Sequence, residues 1–262
     1  MRKVVDHLQR TIHYRFPPQQ IISLAPAITN TMYHLNINKE IVGRTRFCIH
    51  PKDKVDQALN IGGTKDIKLN RIHRLNPDLV IAEKEENTKE IVEQLEQYYP
   101  VYVFEVQSIA DALRMINDLG NIIHRQKEAH QLRHRINELF KELPKIQQKR
   151  VAYVIWKRPF MVVGKQTYIN SLLNEMGFIN PFTTFDSRYP EVTIEDLKRA
   201  QLDYIFLATE PYPFRDEDIS SMKEMLPNVK PLIVDGEMFW YGFTMTQAVS
   251  YFKDLFRDQS LK

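Results

Sequence analysis

A single cysteine, Cys48, stands in 262 residues, so the chain can form no internal disulfide, and cysteine usage points to neither an oxidising nor a reducing compartment. An excess of one charge is missing too. The 36 basic and 33 acidic side chains are mixed along the sequence for a net +3, which leaves no basic face of the kind a nucleic-acid partner requires. No stretch approaches the ~20 apolar residues of a membrane-spanning helix. Met1-Arg2-Lys3 is followed by Asp6, His7, Gln9 and Arg10 instead of an apolar run with a small-residue cleavage site, so the sequence as written predicts a cytoplasmic address. Catalytic signatures are also absent: there is no nucleophile elbow, no HExxH, no dinucleotide glycine fingerprint and no Ser/His/Asp pattern. Gly62-Gly63-Thr64-Lys65 lacks the spacing of a phosphate loop and reads as a turn.

What is present is ordinary globular composition, 43% hydrophobic and 26% charged, with no low-complexity tract, so the chain is expected to fold throughout. Short apolar runs alternate with helical patterns. Ile21–Leu24 precedes a helix near Ala27–Leu35, Asp78–Ala82 precedes one near Thr88–Tyr98, and Val101–Phe104 leads into Ile109–Ile123. The pattern restarts with strands at Val151–Ile155, Tyr204–Ala208 and Leu232–Val234. Such alternation predicts βα units around mostly parallel sheets. Between the halves, Leu132, Ile136, Leu139, Phe140 and Leu143 fall at helical spacing with no turn signal before Pro144. The predicted organisation is therefore α/β: a lobe over residues 1–125, a linker helix over 126–149 and a second lobe over 150–262. Ile72–Ile81 aligns weakly with Leu197–Phe206, and Glu85 and Glu210 each follow the aligned Asp by the same interval.

In open α/β sheets, ligands sit beyond the carboxyl ends of the strands. The loops there are unusual. Pro26 opens a helix after the first strand, and Arg44–Pro51 gathers Arg46, Cys48 and His50. Cys48 and His50 supply only two metal ligands, so no intrinsic metal or cofactor is expected; His50 is a candidate axial ligand to a chelate that brings its own metal. His130 and His134, four apart among Arg, Lys and Gln, read as a solvated face. In the second half Trp156, Arg188 with Tyr189, Glu210 with Tyr212 and Phe214, and Glu237 with Trp240 and Tyr241 follow strands. Four aromatic-rich loops on one predicted edge suit a broad, partly apolar ligand.

Ile21-Ile22-Ser23-Leu24-Ala25-Pro26-Ala27-Ile28-Thr29-Asn30 resembles the "RIISLxPSxTE" opening of helical-backbone, class III ABC-type substrate-binding proteins. Asn76-Pro77-Asp78-Leu79-Val80-Ile81-Ala82 resembles their "PDLVIA" strand. Further segments, including Val42–Pro51, Arg188–Pro190 and Asp235–Glu237, resemble the subgroup that binds cobalamin or iron siderophores. The resemblance implies two Rossmann-like lobes bridged by a long backbone helix, and a monomer without enzymatic activity. It implies a small-molecule metal chelate (cobalamin or another corrinoid, a ferric siderophore or haem) held in an inter-lobe cleft. It also implies an ABC permease as partner and a periplasmic address.

Three departures stand out: the absence of an export signal, Asn87-Thr88-Lys89-Glu90 where the family places an exposed glutamate, and Phe243-Thr244 where Ser-Arg is expected. The first motivates an alternative reading, an intracellular chaperone or sensor for the chelate that needs no permease. An enzyme acting on a chelate would have His50, Glu210 and Glu237 as its acid–base groups.

Overall fold

The computed structural model describes residues 1–257. The chain divides into two compact units. The first comprises Met1–Val106 and Ala110–Ile136; the second comprises Gln107–Ile109 and the chain from Asn137 onward.

The first unit is built on a five-stranded sheet of order β5-β4-β3-β6-β7, all parallel: β3 (Ile21–Ser23), β4 (Ile41–Arg44), β5 (Leu59–Asn60), β6 (Leu79–Glu83) and β7 (Val101–Phe104). Strands of such a sheet are covered on both faces, which is why Leu79–Ala82 of β6 and the whole of β7 read as apolar runs, and every residue of both strands is buried. Ile22, Val80, Ala82, Val101 and Val103 form one core with Ile72 of α2 (Leu69–Leu75) and with Ile91, Val92 and Leu95 of α3 (Lys89–Glu96). Each Val, Ile or Leu among them contributes about 1.5–3 kcal/mol by leaving water. Local signals set the helix ends: Pro26 takes the first turn of α1 (Pro26–His34), Thr88 caps α3 through the amide of Ile91, and Asn76 closes α2 in the left-handed region at φ 43°.

A hairpin that the sequence pattern did not disclose precedes this sheet. β1 (Arg2–Val5) and β2 (Thr11–Tyr14) pair antiparallel, and the hairpin is stitched to β7 and α4 (Ile109–Ile122). His7 N–H donates to Val103 O at 3.2 Å, Tyr14 Oη to Ile122 O at 3.0 Å, and an Arg2 guanidinium nitrogen to Asn121 O at 2.9 Å. In its turn, the buried carboxylate of Asp6 accepts from Leu8 N, Arg10 N, Val103 N and the Arg10 guanidinium. The strand edge of β7 is thereby covered.

α5 (Gln126–Phe140) carries the chain from the first unit into the second. Its buried residues, Ala129, Leu132, Ile136 and Phe140, recur every three or four positions and mark a single apolar stripe. The helix stops at Phe140, short of the expected 149. Leu143 N–H bonds back to Phe140 O at 3.2 Å, tightening the end, and Pro144 cannot continue the ladder. Leu143 and Ile146 are nonetheless buried, and Ile146 N–H is held by Met176 O at 2.6 Å.

The second unit has the order β10-β9-β8-β11-β12: β8 (Val151–Lys157), β11 (Tyr204–Ala208) and β12 (Lys230–Val234) are parallel, whereas β9 (Phe160–Val162) and β10 (Glu191–Val192) add an antiparallel edge. Ala152, Val154, Ile205 and Leu207 pack with Leu197 of α7 (Ile194–Arg199) and with Met222 of α8 (Asp216–Met225). α6 (Tyr168–Glu175) is capped by Thr167, and α7 opens on a capping box between Thr193 and Asp196. α9 (Met245–Arg257) ends the described chain. The expected class, α/β with two mostly parallel sheets, is the observed one.

Candidate functional site

In the first unit, the loops after β3, β4, β5 and β6 emerge at one edge of the sheet. Pro26 lies buried at the start of α1. The loop after β4 alternates its side chains. Thr45 and Cys48 turn inward, while Arg46, Phe47 (48% exposed) and Ile49 (45% exposed) turn out. Cys48 is wholly buried, its sulfur 3.1 and 3.2 Å from the Thr29 and Thr45 hydroxyls, and burial pushes its thiol pKa up. The structure therefore makes it a buried residue of the loop. His50 is half-buried. Arg46 is tied in twice. Its amide donates to Gly62 O at 2.7 Å, and its guanidinium reaches Asp66 at 3.0 Å while lying 4.9 Å from the Phe47 ring centroid. A Cβ at Gly63 would meet the Asp66 carboxylate and lie 2.9 Å from the Arg46 guanidinium, so a larger residue there would push the exposed ends of this ion pair aside. Beside the loop a cavity of about 380 Å³ is lined by Arg44, Cys48, Ile49, Lys52, Val55 and Asp56.

A clasp holds three of these loops together. Asn87, fully buried, accepts from Glu83 N at 2.9 Å and donates to Leu24 O at 3.3 Å and Thr64 O at 3.0 Å, linking the segments that follow β6, β3 and β5. Glu83, at the tip of β6, is 1% exposed; its Oε2 accepts from the amides of Glu85 (2.7 Å) and Glu86 (3.1 Å). Burial first, and the Glu85 carboxylate second, push its pKa up to about 8. Glu86 is raised for the same two reasons, with Lys65 opposing.

In the second unit Trp156, 41% exposed at the end of β8, meets Tyr212 edge-on at 5.6 Å, and Tyr212 meets Phe214 at 4.6 Å. Phe214 is 3% exposed and belongs to the core, so these three predicted residues form one stack from surface to interior, with only its outer members within reach of a ligand. Tyr241 packs edge-on against Tyr168 at 5.8 Å, and the Tyr168 hydroxyl is buried without a hydrogen-bond partner. Tyr168 carried no signal in the sequence beyond its place after Thr167.

The Arg188–Tyr189 loop is fastened to Gly164, whose amide donates to Arg188 O at 2.8 Å; a Cβ there would lie 2.6 Å from Ser187 O. Two guanidinium nitrogens of Arg188 are shut off from solvent. Glu210 rests on Gly236, where a side chain would strike its Cγ. Gly236 N–H donates to Thr209 Oγ1 at 3.0 Å, and Asp235 accepts from Glu237 N at 3.0 Å, which shapes the turn Gly236–Phe239 that presents Glu237 and ends at the half-buried Trp240. Below them, burial raises the Tyr153 phenol well above its usual value, with Glu210, Tyr251, Asp235 and Tyr189 adding to the effect. The loops after β8 and β4 also contain cis prolines, Arg158–Pro159 and His50–Pro51, as does that after β11, Glu210–Pro211.

Acceptors, cations and exposed aromatics thus lie on the loops that follow the strands of both sheets. Among the described residues no group of three or more His, Cys, Asp and Glu side chains is placed to hold a metal ion. The description of a family of proteins, periplasmic binding protein, matches residues 21–230. The chain belongs to that family. Both segments that resemble class III substrate-binding proteins, Ile21–Asn30 and Asn76–Ala82, lie inside the matched span.

Among relatives of this family member is the vitamin B12-binding protein of Vibrio parahaemolyticus, 26% identical over 220 residues, which are 82% of this chain and 79% of that one. Two solved structures share its fold. The periplasmic vitamin B12 binding protein BtuF of Vibrio cholerae superposes with a TM-score of 0.77 at 21% identity, covering 94% of this chain and 100% of that one. The periplasmic heme binding protein HutB of Vibrio cholerae gives 0.75 at 18% identity, covering 90% and 98%. The cytoplasmic address expected from the N-terminal residues finds no support in these likenesses. No helix among the described residues is long and apolar enough to cross a membrane.

Proposed function

We propose that this family member is a non-catalytic receptor that captures a metal-containing chelate, cobalamin or another corrinoid before a ferric siderophore or haem, and delivers it to an ABC-type importer. The observation that carries the reading is the pairing of family membership with outward-facing apolar groups on post-strand loops: Phe47 and Ile49 in one unit, the Trp156–Tyr212 stack in the other. Flat, partly apolar chelates suit such walls. Arg46, His50, Arg188, Glu210, Tyr189, Glu237, Trp240 and Tyr241 supply the remaining contacts, with His50 as the candidate axial ligand.

The proposed working place is outside the cytoplasmic membrane, as a monomer. Of the two acids near the family's permease-facing position, Glu90 is the better placed. It is exposed on the first turn of α3 and held below the usual carboxylate range by its own and Thr88's hydrogen bonding, whereas Glu86 is half-buried.

Thermal melts with cyanocobalamin, haemin and a ferric siderophore test the reading, since a ligand that binds the native state raises the melting temperature. The expected result is a rise with at least one chelate and a loss of at least about tenfold in its affinity on Trp240→Ala, the size of an aromatic anchor. If none of the three shifts the melt, the reading falls. His50→Ala is expected to change the visible spectrum of a bound corrinoid or haem.

A further inference from the structure

Glu83 is an acid in a place that on balance disfavours its charge. Its Oε2 takes two backbone amides, but Oε1 is buried with no hydrogen-bond partner, and a carboxylate oxygen so placed is far costlier to hold than a hydroxyl. The charged groups around it do not help. Glu85 and Glu86, on its own turn, are like charges; Lys65, from the loop after β5, acts on Glu86; Lys84 is engaged at 2.5 Å by Glu105, just beyond β7. Neighbouring β3 contributes only Ile21, Ile22 and Ser23, none of which titrates. In β7 the residue in register with Glu83 is Phe104.

The turn this acid closes is the turn that Asn87 fastens to Leu24 and Thr64. Whatever loosens the Glu83–Asn87 segment therefore frees the loops after β3 and β5 as well, and these flank the Arg46 loop through the Arg46–Gly62 bond.

We infer that Glu83 is a positioning residue for the ligand-facing edge of the first unit, and that loss of its proton slackens the clasp and lowers affinity for the chelate. The acid form suits the site because its carbonyl oxygen accepts both amides while the other oxygen stays uncharged. A bare carboxylate draws water or a cation toward Oε1, and the turn must open to admit either. Since burial and Glu85 place the titration at about 8, the transition falls just above neutrality. The affinity half of this inference rests on the chelate-receptor reading; the loop half does not.

The test uses the whole protein and begins without ligand. Amide exchange is followed from about pH 6.5 to about pH 9, where a group titrating near 8 goes from almost wholly protonated to about nine-tenths ionised. The expected result is that protection of the Glu85, Glu86 and Asn87 amides, corrected for intrinsic exchange, falls about tenfold or more across that range. Amides of the second unit's sheet, such as Ile205 and Leu207, hold, and Glu83→Gln, which keeps a carbonyl oxygen and cannot ionise, abolishes the change.

Side-chain carbon shifts of Glu83 in the unmodified protein keep the question decidable if the variant folds poorly: a midpoint in the ordinary carboxylate range overturns the inference. So does protection that stays level with pH, or that falls equally in Glu83→Gln. In the second arm, whichever of cyanocobalamin or haemin binds is titrated at both pH values. A severalfold weaker Kd at the higher pH in the parent, and an unchanged one in Glu83→Gln, supports the inference; a pH-independent Kd in the parent overturns the positioning role. If neither chelate binds at any pH, the receptor reading fails, and the exchange arm alone judges the clasp.

Discussion

Asn87→Ala is the sharpest test of how the first unit is held together at its ligand-facing edge. Asn87 makes three hydrogen bonds from a fully buried position, one to the amide of Glu83 and two to the carbonyls of Leu24 and Thr64. Truncation removes all three and leaves their partners in the interior. At about 1 kcal/mol for each net bond, and more for each group stranded away from water, the expected loss is about 3 kcal/mol. Asn87→Asp keeps the acceptor for Glu83 but turns a carboxylate toward two carbonyl oxygens, so it is expected to be worse near neutrality and to recover as pH falls. The probe matters, because the chain's two tryptophans, Trp156 and Trp240, both belong to the second unit. Tryptophan fluorescence in urea is expected to be nearly blind to the lesion. Native-state exchange at Ile81 and Ala82 of β6 reads it directly. A loss under about 1 kcal/mol at those amides would refute the claim that Asn87 fastens the three loops.

Tyr168→Phe removes a buried hydroxyl that has no partner, so it is expected to leave stability unchanged or raise it by up to about 1 kcal/mol in urea melts; a loss of that size would mean the hydroxyl is satisfied. The acid form of Glu83 predicts a slope in stability with pH. Its pKa is raised on folding, so the folded state binds more protons than the unfolded state between the usual carboxylate range and about 8, and stability falls as pH rises through that window and levels off above it. The slope in that window is expected to approach about 1.4 kcal/mol per pH unit and to vanish in Glu83→Gln; a parent curve without it counts against the buried acid. Gly236→Ala places a methyl group against Glu210, so it is expected to cost about 1–3 kcal/mol or to move Glu210 and weaken chelate binding, read by melting and titration together.

β3, β6, β7, β8, β11 and β12 were legible as apolar runs, and Leu79–Ala82 and Tyr204–Ala208 have no charged residue to interrupt them. β1, β2, β4, β5, β9 and β10 were not, because strands of two to four residues with partly exposed side chains carry too little pattern; Arg2–Val5 and Thr11–Tyr14 alternate over only four positions each. The site loops were found by their position after strands, yet which side chains face out could not be read. Cys48 points inward because of hydroxyls contributed by Thr29 and Thr45, the first of them nineteen residues away, while Phe47 and Ile49 on either side point out. Phe214 looked like a ligand wall and is core, since the stack it joins begins at Trp156, far off in sequence. The part played by Asn87 was hidden for the same reason: its partners Leu24 and Thr64 are brought near only by the folded sheet.

The N-terminal hairpin bears on how this chain can be cut. Family likeness spans residues 21–230, and a fragment trimmed to those limits would look complete on an alignment. It would lack the strands stitched over β7, leaving Val103 without its hydrogen-bonding neighbours at His7 and Asp6, and it would lack α9, whose Phe252 packs on Phe239 in the turn that presents Glu237. A bare β7 edge invites a second copy to pair with it. Such a fragment would be judged sticky and weakly binding, and the fault would lie in the scissors.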